Sequence, residues 1–311
     1  MNRASRLVSI VLLAACAAHA SAGPLRDRIE ARRDVRQAAQ ADDDGYAGSS
    51  RRNVPAGVKL VRDVAYGADR QQRFDVYTPR AASSAPVIFM VHGGGWKRGD
   101  KAMDAVVENK VAYWATRGFV VVSTNYRMLP SNDPLGQARD VALAVGTAQS
   151  RAAEWGGDPD KFILMGHSAG AHLVSLLSSS KELQGSLRWL GTVALDSAAF
   201  DVEDMMRGRH MGLHDEAFGA DPAFWHAASP YAQLTRENTP MMAVCSTRRE
   251  ESCSQARRYA AKAMRLGTRV HVLPKDLSHK EINATLGAEG PYTEEVDQFL
   301  RGLLNGRYPL R

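Results

Sequence analysis

The chain has 311 residues, of which 44% are hydrophobic and 24% charged, with a formal net charge of +6. These are the proportions of an ordinary globular protein with material for a sizeable core, which excludes disordered and fibrous classes. The positive excess does not point to nucleic acid: much of it is gathered at Arg26, Arg28, Arg32, Arg33, Arg36, Arg51 and Arg52, and no basic stripe interleaved with aromatics appears.

The N-terminus reads as an export signal. Arg3 and Arg6 precede an apolar run, 7–15, that is too short to span a bilayer, and small residues follow it. A signal peptide over 1–22 is expected, because Ala18-His19-Ala20 and Ala20-Ser21-Ala22 both fit the A-x-A cleavage pattern. An overlapping lipobox-like stretch, Leu13-Ala14-Ala15-Cys16, offers the alternative of a lipid anchor on Cys16. The expected location is periplasmic or secreted in the first case and lipid-anchored in the second. No other run is long enough for a transmembrane span. Export leaves Cys245 and Cys253, two thiols that an oxidising compartment would pair; two separate buried thiols are the alternative. Residues 23–57 are polar, charged and rich in Ala and Arg, and read as a flexible linker ahead of a domain over 58–311.

Within that domain strands and helices alternate. Segments 59–66 and 72–77 alternate apolar with polar, as half-exposed antiparallel strands do. The continuous apolar runs 86–91, 119–123 and 162–165 read as buried parallel strands, and 191–195, 241–244 and 268–273 as further strands. Helical spacing is found over 104–116, 139–155, 169–178 and 294–304. The pattern predicts an α/β fold with a mainly parallel sheet of about eight strands and helices on both faces. The stretch 200–231 is rich in Met and His with weak periodicity and reads as a cap insertion near the sheet's carboxyl edge, where open α/β sheets place their sites.

Two motifs carry chemistry. Gly166-His167-Ser168-Ala169-Gly170 matches G-x-S-x-G between a buried strand and a helix, a turn that lifts the Ser168 hydroxyl above the sheet. His92-Gly93-Gly94-Gly95-Trp96 directly follows the strand 86–91. Acyl transfer needs preorganised N–H donors for its oxyanion, and a glycine run lets backbone amides approach that oxygen. Gly94 and Gly95 are the candidate donors, joined by the N–H of Ala169, while His92 reads as bracing the loop. No G-K-[ST] follows, which argues against a phosphate cradle. His210 and His214 have metal-like i, i+4 spacing, but Gly212 between them weakens a helix and no H-E-x-x-H is present; neither metal nor cofactor is expected.

With both motifs present, and Trp155-Gly156-Gly157-Asp158-Pro159 before the nucleophile strand, residues from about 58 to 304 resemble the α/β-hydrolase superfamily. The resemblance is to its branch of HGGG/HGGxW esterases, relatives of hormone-sensitive lipase and kynurenine formamidase. It implies an α/β-hydrolase fold, an acyl-enzyme mechanism and the order serine, acid, histidine along the chain. His279, just after the last strand, is the implied base. The acid departs from the family pattern, because Arg249 falls near the position where the family places Asp. Glu250 is the favoured acid, with Glu251 and Asp196 as alternatives, and a Cys245–Cys253 disulfide would bracket the turn and hold its carboxylate in register with His279.

The expected activity is that of a serine carboxylesterase on small or medium acyl esters. An arylformamidase-like amide hydrolase and a non-catalytic binding module of the same fold are the alternatives. The partner is a small-molecule ester, with Trp96, Phe224 and Trp225 as candidate lining.

Overall fold

The computed structural model describes residues 54–306. The leader, the lipobox cysteine and nearly all of the linker read from the sequence lie outside them.

Eight strands form one sheet: β1 (Val58–Ala65), β2 (Arg73–Pro79), β3 (Ala85–Val91), β4 (Val120–Thr124), β5 (Gly157–His167), β6 (Gly191–Leu195), β7 (Met241–Ser246) and β8 (Val270–Lys275). Their order is β1-β2-β4-β3-β5-β6-β7-β8. β2 pairs antiparallel with β1 and β4, and all other pairings are parallel. Eleven helices are described: α1 (Asp104–Trp114), α2 (Pro134–Ser150), α3 (Ala169–Ser179), α4 (Lys181–Gln184), α5 (Val202–Arg207), α6 (Gly212–Phe218), α7 (Pro222–Ala228), α8 (Pro230–Gln233), α9 (Glu250–Arg265), α10 (His279–Ala284) and α11 (Pro291–Leu304). None is long and apolar enough to cross a membrane.

The continuous apolar strands are apolar because both sheet faces are covered. Along β3, Val87, Phe89 and Val91 join a core with α2 and α3, while Ile88 and Met90 join another with α1 and α11. α9 packs over Ala243 and Cys245 on the side of α3.

Two helices differ from the sequence expectation. α2 begins at Pro134 rather than 139, because the Asp133 carboxylate caps it by accepting from the Gly136 N–H (2.8 Å) with proline in the first turn; it ends at Ser150, and a separate 3₁₀ turn, Ala152–Trp155, follows. α9 was not anticipated. Its first turn carries Glu250 and Glu251, acidic residues placed against the positive end of the helix dipole. The region 200–231 consists mainly of the short helices α5 to α8.

β3 lies between β4 and β5, so the chain crosses over it on the way from β4 to β5. The order of winding across the sheet reverses there, and the carboxyl ends of strands at such a point are where open α/β sheets place their sites. The glycine loop and Ser168 occupy the carboxyl ends of β3 and β5.

Candidate active site

Ser168 links β5 to α3 with φ 53° and ψ −118°, a conformation costing an L-residue on the order of 1–3 kcal/mol. The flanking glycines are set by close approach. A Cβ on Gly166 would meet the Gly170 carbonyl oxygen at 2.3 Å, and one on Gly170 would meet the Val91 oxygen at 2.2 Å. The turn is thus wedged against the end of β3. Ala169 opens α3, so its N–H has no acceptor within the helix.

The glycine loop is held from several sides. Buried His92 donates through Nδ1 to the Gly93 carbonyl (2.7 Å), and its ring stacks on Tyr126 at 4.5 Å. The Tyr126 hydroxyl donates in turn to the His92 carbonyl (3.0 Å). Beyond Gly94 and Gly95, Trp96 takes φ 59°, and its carbonyl accepts from Leu129 N–H (3.0 Å) and Gln137 Nε2 (2.8 Å). Trp96 is buried rather than lining open space. It packs on Phe218, and its indole Nε1 donates to Nδ1 of His172 (3.2 Å), which donates through Nε2 to the Ala228 carbonyl (2.8 Å). Burial lowers the His172 pKa to about 4, so it stays neutral and structural. Trp225 donates to the Phe218 and Gly219 carbonyls and stands half-buried beside Phe224 in α7. His210 lies against Asp215 (3.0 Å).

His279 is the first residue of α10. Ser278 caps that helix in a capping box: its hydroxyl accepts from Glu281 N–H (3.2 Å) while the Glu281 carboxylate accepts from Ser278 N–H (2.8 Å). The other end is held by α1. Asn109 Nδ2 donates to the Ala284 carbonyl (2.7 Å), and buried Lys110 donates to the Asn283 carbonyl (2.6 Å), the Asn283 side chain (3.0 Å) and the Ala105 carbonyl (3.1 Å). Burial lowers the Lys110 pKa to about 7. The His279 ring lies 4.4 Å from that of His167, the residue before Ser168. His167 Nε2 donates to the His279 carbonyl (3.0 Å), which brings the base candidate alongside the serine turn.

The carboxylate facing His279 is Asp196, not Glu250. His279 Nδ1 is 2.5 Å from Asp196 Oδ2. Glu250 is exposed at the start of α9, and exposed Glu251 pairs with Arg249 at 3.4 Å. The physical reason is the helix: the turn that resembles an acid loop is the first turn of α9, and its two glutamates face solvent.

Asp196 follows β6 with φ 54°, a third strained non-glycine residue at the site after Ser168 and Trp96, and is fully buried. Its Oδ1 accepts from Ser246 N–H (2.7 Å) and the Ser252 hydroxyl; its Oδ2 accepts from His279 and from Arg249 Nη1 (2.8 Å). Burial alone would push this carboxyl up. The bond from His279, the Arg249 charge and the bond from Ser252 override it and hold the group well below the usual carboxylate range.

Cys245 and Cys253 are joined, with Cα atoms 5.0 Å apart. The bracketed turn carries Ser246, Arg249 and Ser252. It supplies three donors to Asp196 rather than a carboxylate to His279. Nothing in the residue pattern marked these three, although an arginine standing where the family places Asp was the visible irregularity.

Strand order, serine turn and glycine loop are those of the α/β-hydrolase fold. Residues 74–249 match the BD-FAE family model, and the chain belongs to the BD-FAE family. The matched stretch includes the glycine loop, Ser168 and Asp196. The chain is 32% identical over 149 residues to isoprenylcysteine alpha-carbonyl methylesterase of Arabidopsis thaliana, covering 46% of this chain and 34% of that protein. It is 26% identical over 205 residues to esterase LipC of Mycobacterium tuberculosis, covering 60% and 50%. The chain thus spans half or less of the length of these relatives. Esterase B from Lactobacillus rhamnosis superposes with a TM-score of 0.69 at 22% identity, covering 89% of this chain and 94% of that one.

Proposed function

We propose that the protein is an exported serine carboxylesterase acting through an acyl-enzyme on small or medium acyl esters. Ser168 is the nucleophile, His279 the base, Asp196 the acid, and the N–H groups of Gly94, Gly95 and Ala169 form the oxyanion hole. The observation that carries this reading is the contact of His279 Nδ1 with Asp196 beside the serine turn. With Nδ1–H directed to the carboxylate, Nε2 takes the Ser168 proton as Oγ bonds to the ester carbonyl carbon. The oxyanion collapses, the C–O bond to the leaving alcohol breaks, and that oxygen takes the proton from Nε2. Water, deprotonated by Nε2, then repeats the sequence on the acyl-enzyme and releases the acid and Ser168.

Relatives named as esterases support an ester substrate. Export is supported by the A-x-A sites in the N-terminal sequence and by the paired cysteines. The short helices α5 to α8 act as the cap.

Hydrolysis of p-nitrophenyl acetate and butyrate by the mature protein, beside Ser168→Ala, tests the reading. Turnover lost in the variant is expected. Equal turnover in both proteins removes Ser168 as nucleophile, and a folded wild type silent on both esters shifts the reading to a narrow-substrate amide hydrolase or a binding module.

A further inference from the structure

Trp96 stands in a backbone conformation that bulky L-residues avoid. Its φ is 59°, and Gly94 and Gly95 before it also take positive φ, 116° and 59°. A large side chain keeps such a φ only where its surroundings over-determine it. Here they do. The Trp96 carbonyl accepts from the Leu129 N–H (3.0 Å) and from Gln137 Nε2 (2.8 Å), which fixes the chain downstream of its Cα. The indole is buried and packs on Phe218 of α6 with ring centroids 4.9 Å apart, and its Nε1 donates to His172 Nδ1 (3.2 Å). With carbonyl and ring both held, the rotation about N–Cα sets the direction in which Gly94 and Gly95 leave Trp96. Any relaxation of that φ swings the two glycine amides.

His172 joins this loop to the serine turn. It lies on α3, four residues after Ser168, and its backbone N–H donates to the Ser168 carbonyl (3.0 Å). The same helix opens with Ala169, the source of the third amide in the proposed oxyanion hole. The two backbones meet at Gly170, where a Cβ would lie 2.2 Å from the Val91 oxygen and 2.5 Å from the His92 oxygen. The bond from Trp96 to His172 is a second tie between them, made beyond the glycines. From its other edge His172 donates Nε2–H to the carbonyl of Ala228, the last residue of α7 (2.8 Å). The position calls for one acceptor and one donor on opposite sides of a compact ring, which a neutral imidazole provides. Complete burial keeps it neutral, with its pKa lowered to about 4.

We propose that His172 is a positioning residue for the oxyanion hole: by accepting from Trp96 and donating to Ala228, it holds the glycine loop at the angle that brings the Gly94 and Gly95 amides to bear on the same point as the amide of Ala169. This rests on the hydrolase reading above. His172 touches no reacting atom, and its effect passes through Trp96. That effect is felt where negative charge develops on the substrate oxygen, not where the neutral ester binds.

Three variants of the full mature chain test this. Trp96→Phe keeps an aromatic ring and removes the indole N–H, His172→Leu removes acceptor and donor together, and the third combines the two. Steady-state hydrolysis of p-nitrophenyl acetate separates kcat from KM. Losing one oxyanion donor outright costs about 10²–10³ in kcat. A loop that swings is expected to cost about tenfold in Trp96→Phe and about a hundredfold in His172→Leu, with KM changed less than about threefold. The combined variant is expected to lose no more than His172→Leu alone, because both changes act through one bond. Losses that multiply in the combined variant overturn the proposal, as does a raised KM at unchanged kcat. A lowered melting temperature with kcat intact confines His172 to packing and overturns it as well. A second measurement, ¹⁵N relaxation of the Gly94 and Gly95 amides, needs no turnover. Amides that are rigid in the wild type and lose order in His172→Leu are expected, and unchanged order there overturns the proposal. If the wild type hydrolyses no ester, the hydrolase reading fails, while the relaxation still decides whether His172 holds the loop. If His172→Leu does not fold, Trp96→Phe decides: wild-type kcat or wild-type amide order in that variant sinks the idea.

Discussion

Replacing Asp196 with Asn separates the carboxylate chosen by geometry from the one favoured by residue order. In the native site Oδ1 faces two donors, Ser246 N–H and the Ser252 hydroxyl, and Oδ2 faces two more, from His279 and Arg249. Asparagine has one acceptor oxygen. If that oxygen stays with the serines, its NH₂ group points at His279 Nδ1 and Arg249 Nη1, donor against donor. The imidazole relieves the clash only by moving its hydrogen to Nε2, the nitrogen that must accept from Ser168. The loss therefore combines the wrong tautomer with an unstabilised imidazolium. In serine hydrolases of this type that combination costs about 10⁴ in kcat, or roughly 5.5 kcal/mol. Exposed Glu250, with no part in the set, should tolerate Gln with less than a twofold change. Steady-state hydrolysis of p-nitrophenyl butyrate by Asp196→Asn and Glu250→Gln, both checked for native circular dichroism, makes the comparison. A Glu250→Gln variant that loses 10³ or more while Asp196→Asn stays active would refute the assignment.

Three further outcomes are expected. Gly170→Ala puts a methyl group 2.2 Å from the Val91 carbonyl oxygen, a backbone atom, and should lower stability in urea melts by ~3 kcal/mol or prevent folding. Removing the disulfide, as Cys245→Ser with Cys253→Ser, opens a loop of sequence separation 8 and should cost ~2–2.5 kcal/mol by the same measurement, with kcat falling as the donors to Asp196 loosen. Lys110 gives a pH signature: its folded pKa of about 7 lies below its unfolded value, so the unfolded chain binds more protons between them. The penalty is complete below pH 7 and fades as pH rises towards ~10, giving a stability slope of up to ~1.4 kcal/mol per pH unit. Lys110→Met should flatten that slope in melts at pH 7 and 9.

The fold was legible in the sequence because its strands are buried on both faces and so write long apolar runs. The serine turn was legible because close backbone approach admits only glycine at Gly166 and Gly170, and the glycine loop because Gly94 and Gly95 take positive φ. The acid was not. A carboxylate is recognised from sequence by its distance from a strand end, and here two strand ends compete. Glu250 and Glu251 sit where counting leads, yet they answer to the dipole of α9, whose N-terminus was hidden by reading the segment as a loop. Asp196 looks like any residue ending a strand until four donors converge on it. The roles of Arg249, His167 and Lys110 depend on contacts 30 to more than 170 positions away, to which local pattern is blind.

The disulfide-bracketed turn bears on how this protein could change over time. Ser246, Arg249 and Ser252 within it donate to Asp196, Arg248 pairs with Asp276 and Glu281, and it holds none of the atoms proposed to react. Thr247 and Glu250, both exposed within it, are therefore positions where inheritance or a randomised library can drift at little cost, while Arg249 between them is tied to buried Asp196. One short turn can therefore vary at its exposed positions while Ser168, His279 and Asp196 are left as they are.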